Sequence, residues 1–493
     1  MKIQSLREQW LANVPSNLLA GLTSSFALVP ECIAFALVAH VNPLMGLYGA
    51  FIICALTAIF GGRPGMISGA AGSMAVVIVA LVVQHGVQYL LATVVLSGVL
   101  MMLFGLLRLG KLVRMVPHPV MIGFVNGLAI IIAMAQLEHF KRATPQGEVW
   151  LQGTPLVVMC ALVVLTMSIV YLLPKVTKAV PPALVAIVGV GLISQFMHWP
   201  VRTLGDMAHI AGAFPSLHLP QVSFDLATLM VVLPYATLMA IVGLLETLLT
   251  FNLTDEITET LGQPDRECLA LGVANVVSGL FGGMGGCAMI GQTMINLTSG
   301  GRSRVSGVTS GVMILLFILF LSPLIERIPL AALVGVMFVV AQQTFAWGSL
   351  RVLGKVPRND ALVIIAVTVI TVFTDLAIAV LFGIVIAALN FAWQHAREIR
   401  VEVKSRGEDA RTYVLHGTLF FASTANFHDL FKPQVDPDQV VVDCQHLHVA
   451  DHSAIAAFEA LKGRYKKAGR HLQFINLSPR NQHILERAGV SLM

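Results

Sequence analysis

A chain of 493 residues and 52.9 kDa with 56% hydrophobic and only 12% charged side chains, and a mean hydropathy of +0.82, cannot cover a soluble surface, since globular proteins carry about 25% charged residues. The formal charge of +5 does not mark a nucleic-acid binder, because the charges fall in short clusters between apolar runs, the pattern of loops between membrane spans. Six cysteines (Cys32, Cys54, Cys160, Cys268, Cys287 and Cys444) make no CxxC pair, so neither a disulfide framework nor a zinc site is signalled.

The first ten residues, MKIQSLREQW, are polar and the apolar run after them lacks a small-residue cleavage site, so the N-terminus is expected to stay. Apolar runs follow near 14–40, 44–60, 65–83, 86–107, 118–137, 153–173, 181–197, 226–252, 267–281, 284–298, 306–322, 328–346, 360–376 and 378–394. They predict a polytopic α-helical membrane protein of about fourteen segments, several of them short. Asp255 to Thr260 and the following Asp265, Arg266 and Glu267 read as a solvated inner loop. At Gln394 the composition changes, because 13 of the 31 Lys and Arg and 11 of the 26 Asp and Glu fall after it. A membrane domain over 1–395 and a soluble domain over 400–493 are therefore expected. In the latter, strand-like runs (Thr412 to Phe421, Gln439 to Asp443, Leu472 to Asn476) alternate with helical ones (Asp451 to Ala468, Pro479 to Ala488), which predicts a small α/β domain.

With the N-terminus inside, fourteen basic residues fall on inner segments of the membrane domain and four (Lys141, Arg142, Arg202 and Arg327) on outer ones. Retention of basic loops on the cytoplasmic side then places both termini in the cytoplasm of a cell (inner) membrane protein. An internal echo is also present: Phe60-Gly61-Gly62 recurs as Phe281-Gly282-Gly283, Pro117 with Gly123 as Pro329 with Gly335, and Glu31 as Glu246, at offsets of 221, 212 and 215 residues. Two halves, about 14–197 and 226–394, each with an odd number of spans, must insert in opposite senses, as inverted repeats do.

Two carboxylates, Glu31 and Glu246, lie deep inside apolar runs, where a charged group costs several kcal/mol and marks an ion path. Thr247 and Thr250 place hydroxyls near Glu246, and Pro30 kinks the helix before Glu31. Gly-rich breaks at 61–73 and 282–292 interrupt corresponding spans of the two halves. Unwound backbone at membrane depth lines a cavity or packs on protein, and opposed half-helix N-termini aim N–H groups at an anion. With no Lys or Arg deep in a span, such an anion depends on these amides, Ser73 and Gln292, and the small lining favours a compact ion.

At these residues the sequence resembles the SulP family of anion transporters, which join a membrane domain to a cytoplasmic STAS domain. The matching stretches are Asn17 to Gly21, Pro30-Glu31, Pro43 to Tyr48, the first Gly-rich break, Glu246 with Asp255, and Gly283 to Arg304. The resemblance implies a uracil-permease-like fold of two inverted seven-segment repeats arranged as core and gate, with the anion held between the third and tenth segments. Carried over, the anion site is Ala71, Gly72 and Ser73 opposite Gly286, Cys287 and Ala288, and Glu246 with Thr250 is the coupling site. Sodium-coupled bicarbonate members carry Asp and Thr where this chain has Glu246 and Ala71, which leaves sodium or proton as the coupling ion. A homodimer in the bilayer and a cytoplasmic regulator meeting the STAS domain are also implied, and Ser453 stands where related antagonists carry a phosphorylatable serine. The expected function is secondary transport of bicarbonate or sulfate, with no enzymatic activity, metal or organic cofactor. A dicarboxylate:proton symporter, an anion channel and a STAS-linked anion sensor are the alternatives.

Overall fold

A computed structural model describes residues 5–110, 118–144, 147–177, 181–197, 199, 201–207, 212–223, 225–352, 358–373, 382–383, 385–386, 389, 399–405 and 410–487. Contacts between Cα atoms divide the chain into two compact units, Met1–Gly383 and Ile384–Met493. The expected fourteenth span and the expected boundary near 395 fall largely outside the described residues.

The first half of the membrane unit comprises α1 (Leu6–Leu11), α2 (Val14–Val38), α3 (Pro43–Phe60), β1 (Ser68–Ala70), α4 (Gly72–His85), α5 (Val87–Leu106), α6 (His118–Ala135), the hairpin β2 (Lys141–Thr144) and β3 (Gly147–Trp150), α7 (Thr154–Val176) and α8 (Pro182–Phe196). The second half comprises α9 (Leu226–Thr258), α10 (Pro264–Leu280), β4 (Gly286–Ala288), α11 (Ile290–Thr298), α12 (Arg304–Glu326), α13 (Leu330–Thr344), α14 (Trp347–Val352) and α15 (Arg358–Phe373). Seven of the described helices are long and apolar enough to cross a membrane, and four more are shorter apolar helices. Local sequence sets where they start. Asn42 accepts the Leu44 N–H ahead of Pro43, Asp225 accepts the Thr228 N–H at 2.7 Å, and Ser303 accepts the Val305 N–H. Side-chain caps and a proline in the first turn are the two ordinary ways to start a helix.

The two halves pack by reciprocal exchange. Helix α3 lies on α12 as its counterpart α10 lies on α5; α2 lies on α12 as α9 lies on α5; and α6 meets α15 as α13 meets α7. Helices α2 to α5 with α9 to α12 thus form one group, and α6 to α8 with α13 and α15 a second. Glycine permits these approaches: a Cβ on Gly21 would lie 2.2 Å from the Ser306 carbonyl oxygen, one on Gly98 2.6 Å from that of Gly272, and one on Gly272 2.6 Å from that of Gly98. Such small-residue contacts drive helix association where lipid removes the hydrophobic incentive.

Part of the segment expected to form a solvated loop is instead helical and buried, although Glu256 and Glu259 are exposed as expected. Asp265, Arg266 and Glu267 make the first turn of α10, Glu267 is 1% exposed, and Asp255 near the end of α9 is 6% exposed. Glu267 accepts the N–H groups of Gly62 and Arg63, at 2.7 and 3.1 Å. Arg63 approaches Asp255 at 3.0 Å and donates to the Thr254 carbonyl and to Thr258. The charges hold the segment that leads into β1, and their mutual pairing is what makes burial tolerable.

In the second unit, β5 (Arg400–Ser405), β6 (Ala410–Leu419), β7 (Gln439–Val449) and β8 (His471–Ile475) form one sheet in that order. The β5–β6 pair is antiparallel and the other two pairs are parallel. With α16 (Thr424–Asp429), α17 (His452–Lys467) and α18 (Pro479–Arg487) they enclose a core that includes Leu415, Val442, Phe427, Phe458, Leu461 and Phe474. This is the α/β domain expected from the alternating pattern, with β5 and α16 added to it.

Candidate functional site

The Gly-rich breaks meet. Strands β1 and β4 pair antiparallel, Ser68 with Ala288, Gly69 with Cys287 and Ala70 with Gly286. In this register Gly69 meets its positional equivalent Cys287 at the centre, and Ser68 and Ala70 meet each other's equivalents, Ala288 and Gly286, an arrangement compatible with twofold exchange of the two strands. A Cβ on Gly286 would lie only 2.0 Å from the Gly69 carbonyl oxygen, so this crossing needs glycine.

A half-helix leaves each strand. Helix α4 begins after Ala71 and α11 after Met289, both without a side-chain cap. The first intrahelical bonds are those of Ala75 and Thr293. The amides of Gly72, Ser73 and Met74, and of Ile290, Gly291 and Gln292, therefore have no acceptor within their own helix.

Both half-helix starts border a cavity of about 270 Å³. Ala71, Gly72, Ser73, Ala288, Met289, Ile290, Gly291 and Gln292 line it, with Glu31 from α2 and Glu246 from α9. Apolar side chains of α6 and α13, with Gln343 and Thr344 of α13, also line it, and no Lys or Arg lines the cavity among the described residues.

The carboxylates sit in crosswise positions. Glu246 Oε2 accepts the Ser73 hydroxyl at 2.7 Å and the Cys287 thiol at 2.8 Å. Glu31 has the Gln292 amide beside it. Thus the second-half carboxylate faces the first-half half-helix, and the first-half carboxylate faces the second. Of the residues singled out in the sequence, Ala71, Gly72, Ser73, Ala288, Gln292, Glu31 and Glu246 share this cavity. Gly286 and Cys287 lie behind it in β4, where the Gly286 amide is spent on Asn275 Oδ1 at 3.0 Å. The Thr250 hydroxyl donates to the Glu246 backbone carbonyl at 2.9 Å, away from the carboxylate.

The sulfate permease family model matches residues 15–367, and the STAS domain model matches 400–493. The chain belongs to the sulfate permease family. The putative sulfate transporter YbaR of Bacillus subtilis is 40% identical over 486 residues, 98% of each chain. Among solved structures, the transmembrane domain of a cyanobacterial bicarbonate transporter, BicA, is 33% identical, with a TM-score of 0.66 over 75% of this chain and 98% of that one. SLC26A9 is 16% identical with a TM-score of 0.82 over 99% of this chain and 87% of its own, a likeness of fold.

Within this family member, side chains that do not line the cavity hold its walls. Asn275 bonds both backbone groups of Gly286, Thr247 accepts the Ala288 N–H, and Thr293 accepts the Ile67 N–H. Arg304, 2% exposed, donates to the carbonyls of Ala58, Ile59 and Gly61. Sequence reasoning counted Arg63 and Arg304 only as loop charges. Arg63 lies inside the first Gly-rich break, and that was its available signal, because an arginine beside chain that must leave its helix is a natural donor; Arg304 stands 243 to 246 residues from the carbonyls it reaches and had no such signal. In the STAS unit, Asp451 caps α17 by accepting the Ala454 N–H at 2.9 Å, and Ser453 is the second residue of the helix. A phosphate on Ser453 would meet the helix dipole favourably but stand close in sequence to the Asp451 carboxylate.

Proposed function

We propose that this protein is a secondary active transporter of a small inorganic anion, bicarbonate or sulfate, driven by protons through Glu246, with both termini cytoplasmic and the anion held between α4 and α11. One observation carries the reading: two uncapped half-helix N-termini and two carboxylates share one cavity of about 270 Å³ with no basic side chain among its described lining residues. An anion about 5 Å from an ionised carboxylate is repelled by about 3 kcal/mol at an effective dielectric near 20. A helix N-terminus returns about 0.3–2 kcal/mol. The repulsion is comparable to what the two half-helices supply together, about 0.6–4 kcal/mol, so the anion binds more tightly when the carboxyl nearest it carries a proton. Co-binding of proton and anion, followed by movement of one helix group against the other, constitutes symport by alternating access.

The test is uptake of labelled bicarbonate, sulfate and fumarate into liposomes holding the purified chain, under an imposed proton or sodium gradient. Accumulation of bicarbonate or sulfate under the proton gradient, abolished by a protonophore and by Glu246→Gln, is the expected result. Accumulation that follows sodium and ignores pH overturns proton coupling, and competition by fumarate identifies a dicarboxylate carrier instead.

A further inference from the structure

Ser73 occupies two relationships at once. Its hydroxyl donates to Glu246 Oε2 at 2.7 Å, and the residue lines the cavity at the second position of α4. A serine hydroxyl has one proton to give and two lone pairs with which to accept. While Glu246 is ionised, that proton is committed to the carboxylate, and the hydroxyl presents only lone pairs to the cavity, which repel an anion. When Oε2 takes a proton, the carboxyl becomes the donor and Ser73 Oγ the acceptor. The hydroxyl proton is then released to turn about the Cβ–Oγ bond toward the cavity. The only covalent change is transfer of a proton to Glu246 from a hydronium ion, whose O–H bond breaks as that on Oε2 forms and which leaves as water.

We propose that Ser73 is a hydroxyl relay that converts protonation of Glu246 into an added hydrogen bond to the transported anion, so that coupling is transmitted by a donor switching its target as well as by charge. The inference rests on the proton-coupled reading above and deepens it. The groups facing Glu246 allow this. The Cys287 thiol of β4 is the other donor to Oε2. Glu31 of α2 lies on the same cavity with Gln292 beside it, and α6 and α13 contribute no charged lining residue among those described. Ser73 and Cys287 are both 0% exposed to bulk water, but only Ser73 lines the cavity, so the Cys287 proton has no anion to turn toward and that of Ser73 has one.

A purely electrostatic coupling and a relay make different predictions. A hydrogen bond to a charged partner contributes about 1.5–3 kcal/mol, roughly tenfold or more in affinity. Binding of labelled sulfate and of labelled bicarbonate to the full chain, the latter corrected for carbonic acid, is measured at pH 6.5 and 8.5. In the native protein the Kd rises with pH. In Ser73→Ala the ratio of the two Kd values shrinks about tenfold, because the donor that appears on protonation is gone. Glu246→Gln, which carries no charge at any pH, binds with a Kd whose change with pH falls to what Glu31 contributes and that is tighter than the native value at pH 8.5. In Glu246→Gln/Ser73→Ala that gain is about tenfold smaller. Should Ser73→Ala bind more weakly at both pH values with the native ratio intact, or the double variant keep the whole gain, the relay is overturned while proton coupling stands. If the native Kd of both anions is independent of pH, or neither anion binds, the coupling reading fails and the relay with it.

Discussion

Arg63 shows how much a single side chain can hold at the edge of a membrane site. Its guanidinium is 3.0 Å from Asp255, its backbone N–H goes to Glu267, and its own donors reach the Thr254 carbonyl, so one residue ties the lead-in to β1 to the ends of both α9 and α10. Removing one member of a buried ion pair leaves the other charge desolvated, at about 3–5 kcal/mol. Arg63→Ala is therefore expected to lower the thermal unfolding midpoint of the membrane unit sharply, and Arg63→Lys, which keeps the charge but loses the forked donor set, to recover part of it. The measurement is thermal unfolding of the purified variants in detergent; native stability in Arg63→Ala refutes the role. The sequence could not show this cluster. A run such as Asp255 to Glu267 looks the same whether its charges meet water or one another, and the partner that decides the matter lies about 190 residues away. Glu31 and Glu246 were legible because no such ambiguity exists inside a long apolar run.

Among the elements, the crossing of β1 and β4 is the part that composition only half revealed. The glycines marked two breaks in corresponding places, yet a strand of three residues has no alternation to read, and its pairing with the other half is a tertiary event. The carry-over of Gly286, Cys287 and Ala288 as partners of Ala71 to Ser73 fell on the strand, whereas α11 starts at Ile290. In the STAS unit, β5 was missed for a related reason, since an edge strand such as Arg400 to Ser405 carries charges that mimic a loop. The geometry separates two glycines by role. Gly286→Ala places a Cβ 2.0 Å from the Gly69 carbonyl oxygen, backbone that no rotamer change can move, so it is expected to cost at least about 1–3 kcal/mol and to disturb both half-helices. Gly291 lines the cavity, and a Cβ added to it would meet no atom within 4 Å. Gly291→Ala should thus leave thermal stability unchanged or slightly raised, by up to about 1 kcal/mol, while narrowing the cavity and weakening anion binding. Parallel unfolding and sulfate or bicarbonate binding measurements check both, and equal effects of the two substitutions on both readouts would contradict the assignment.

For the molecule as a whole, the two contact units carry different kinds of stability and should be separable on heating. The membrane unit rests on close helix contacts, while the STAS unit has its own enclosed core and, within it, a buried carboxylate with three donors. Asp436, 1% exposed, accepts from Arg411 Nη1 and the Tyr413 hydroxyl, each at 2.7 Å, and from the Tyr465 hydroxyl. Tyr465→Phe removes one donor from that carboxylate, which costs about 1–3 kcal/mol, and the loss belongs to the STAS unit alone. Burial, and next the Asp436 carboxylate, push the Tyr465 phenol above its ordinary value. The native fold thus favours the neutral phenol. Its contribution is complete below the unfolded tyrosine value of about 10 and is lost progressively as pH rises above it, because the unfolded chain can then ionise where the folded one cannot. Scanning calorimetry of the full chain is expected to show two transitions. Raising the pH from 9 to 11 should lower the STAS transition more in the native protein than in Tyr465→Phe, while the substitution itself lowers that transition at pH 8 and leaves the other in place. A single transition shifted as a whole by Tyr465→Phe would mean that the two units melt together and that the Asp436 cluster stabilises the membrane unit as well.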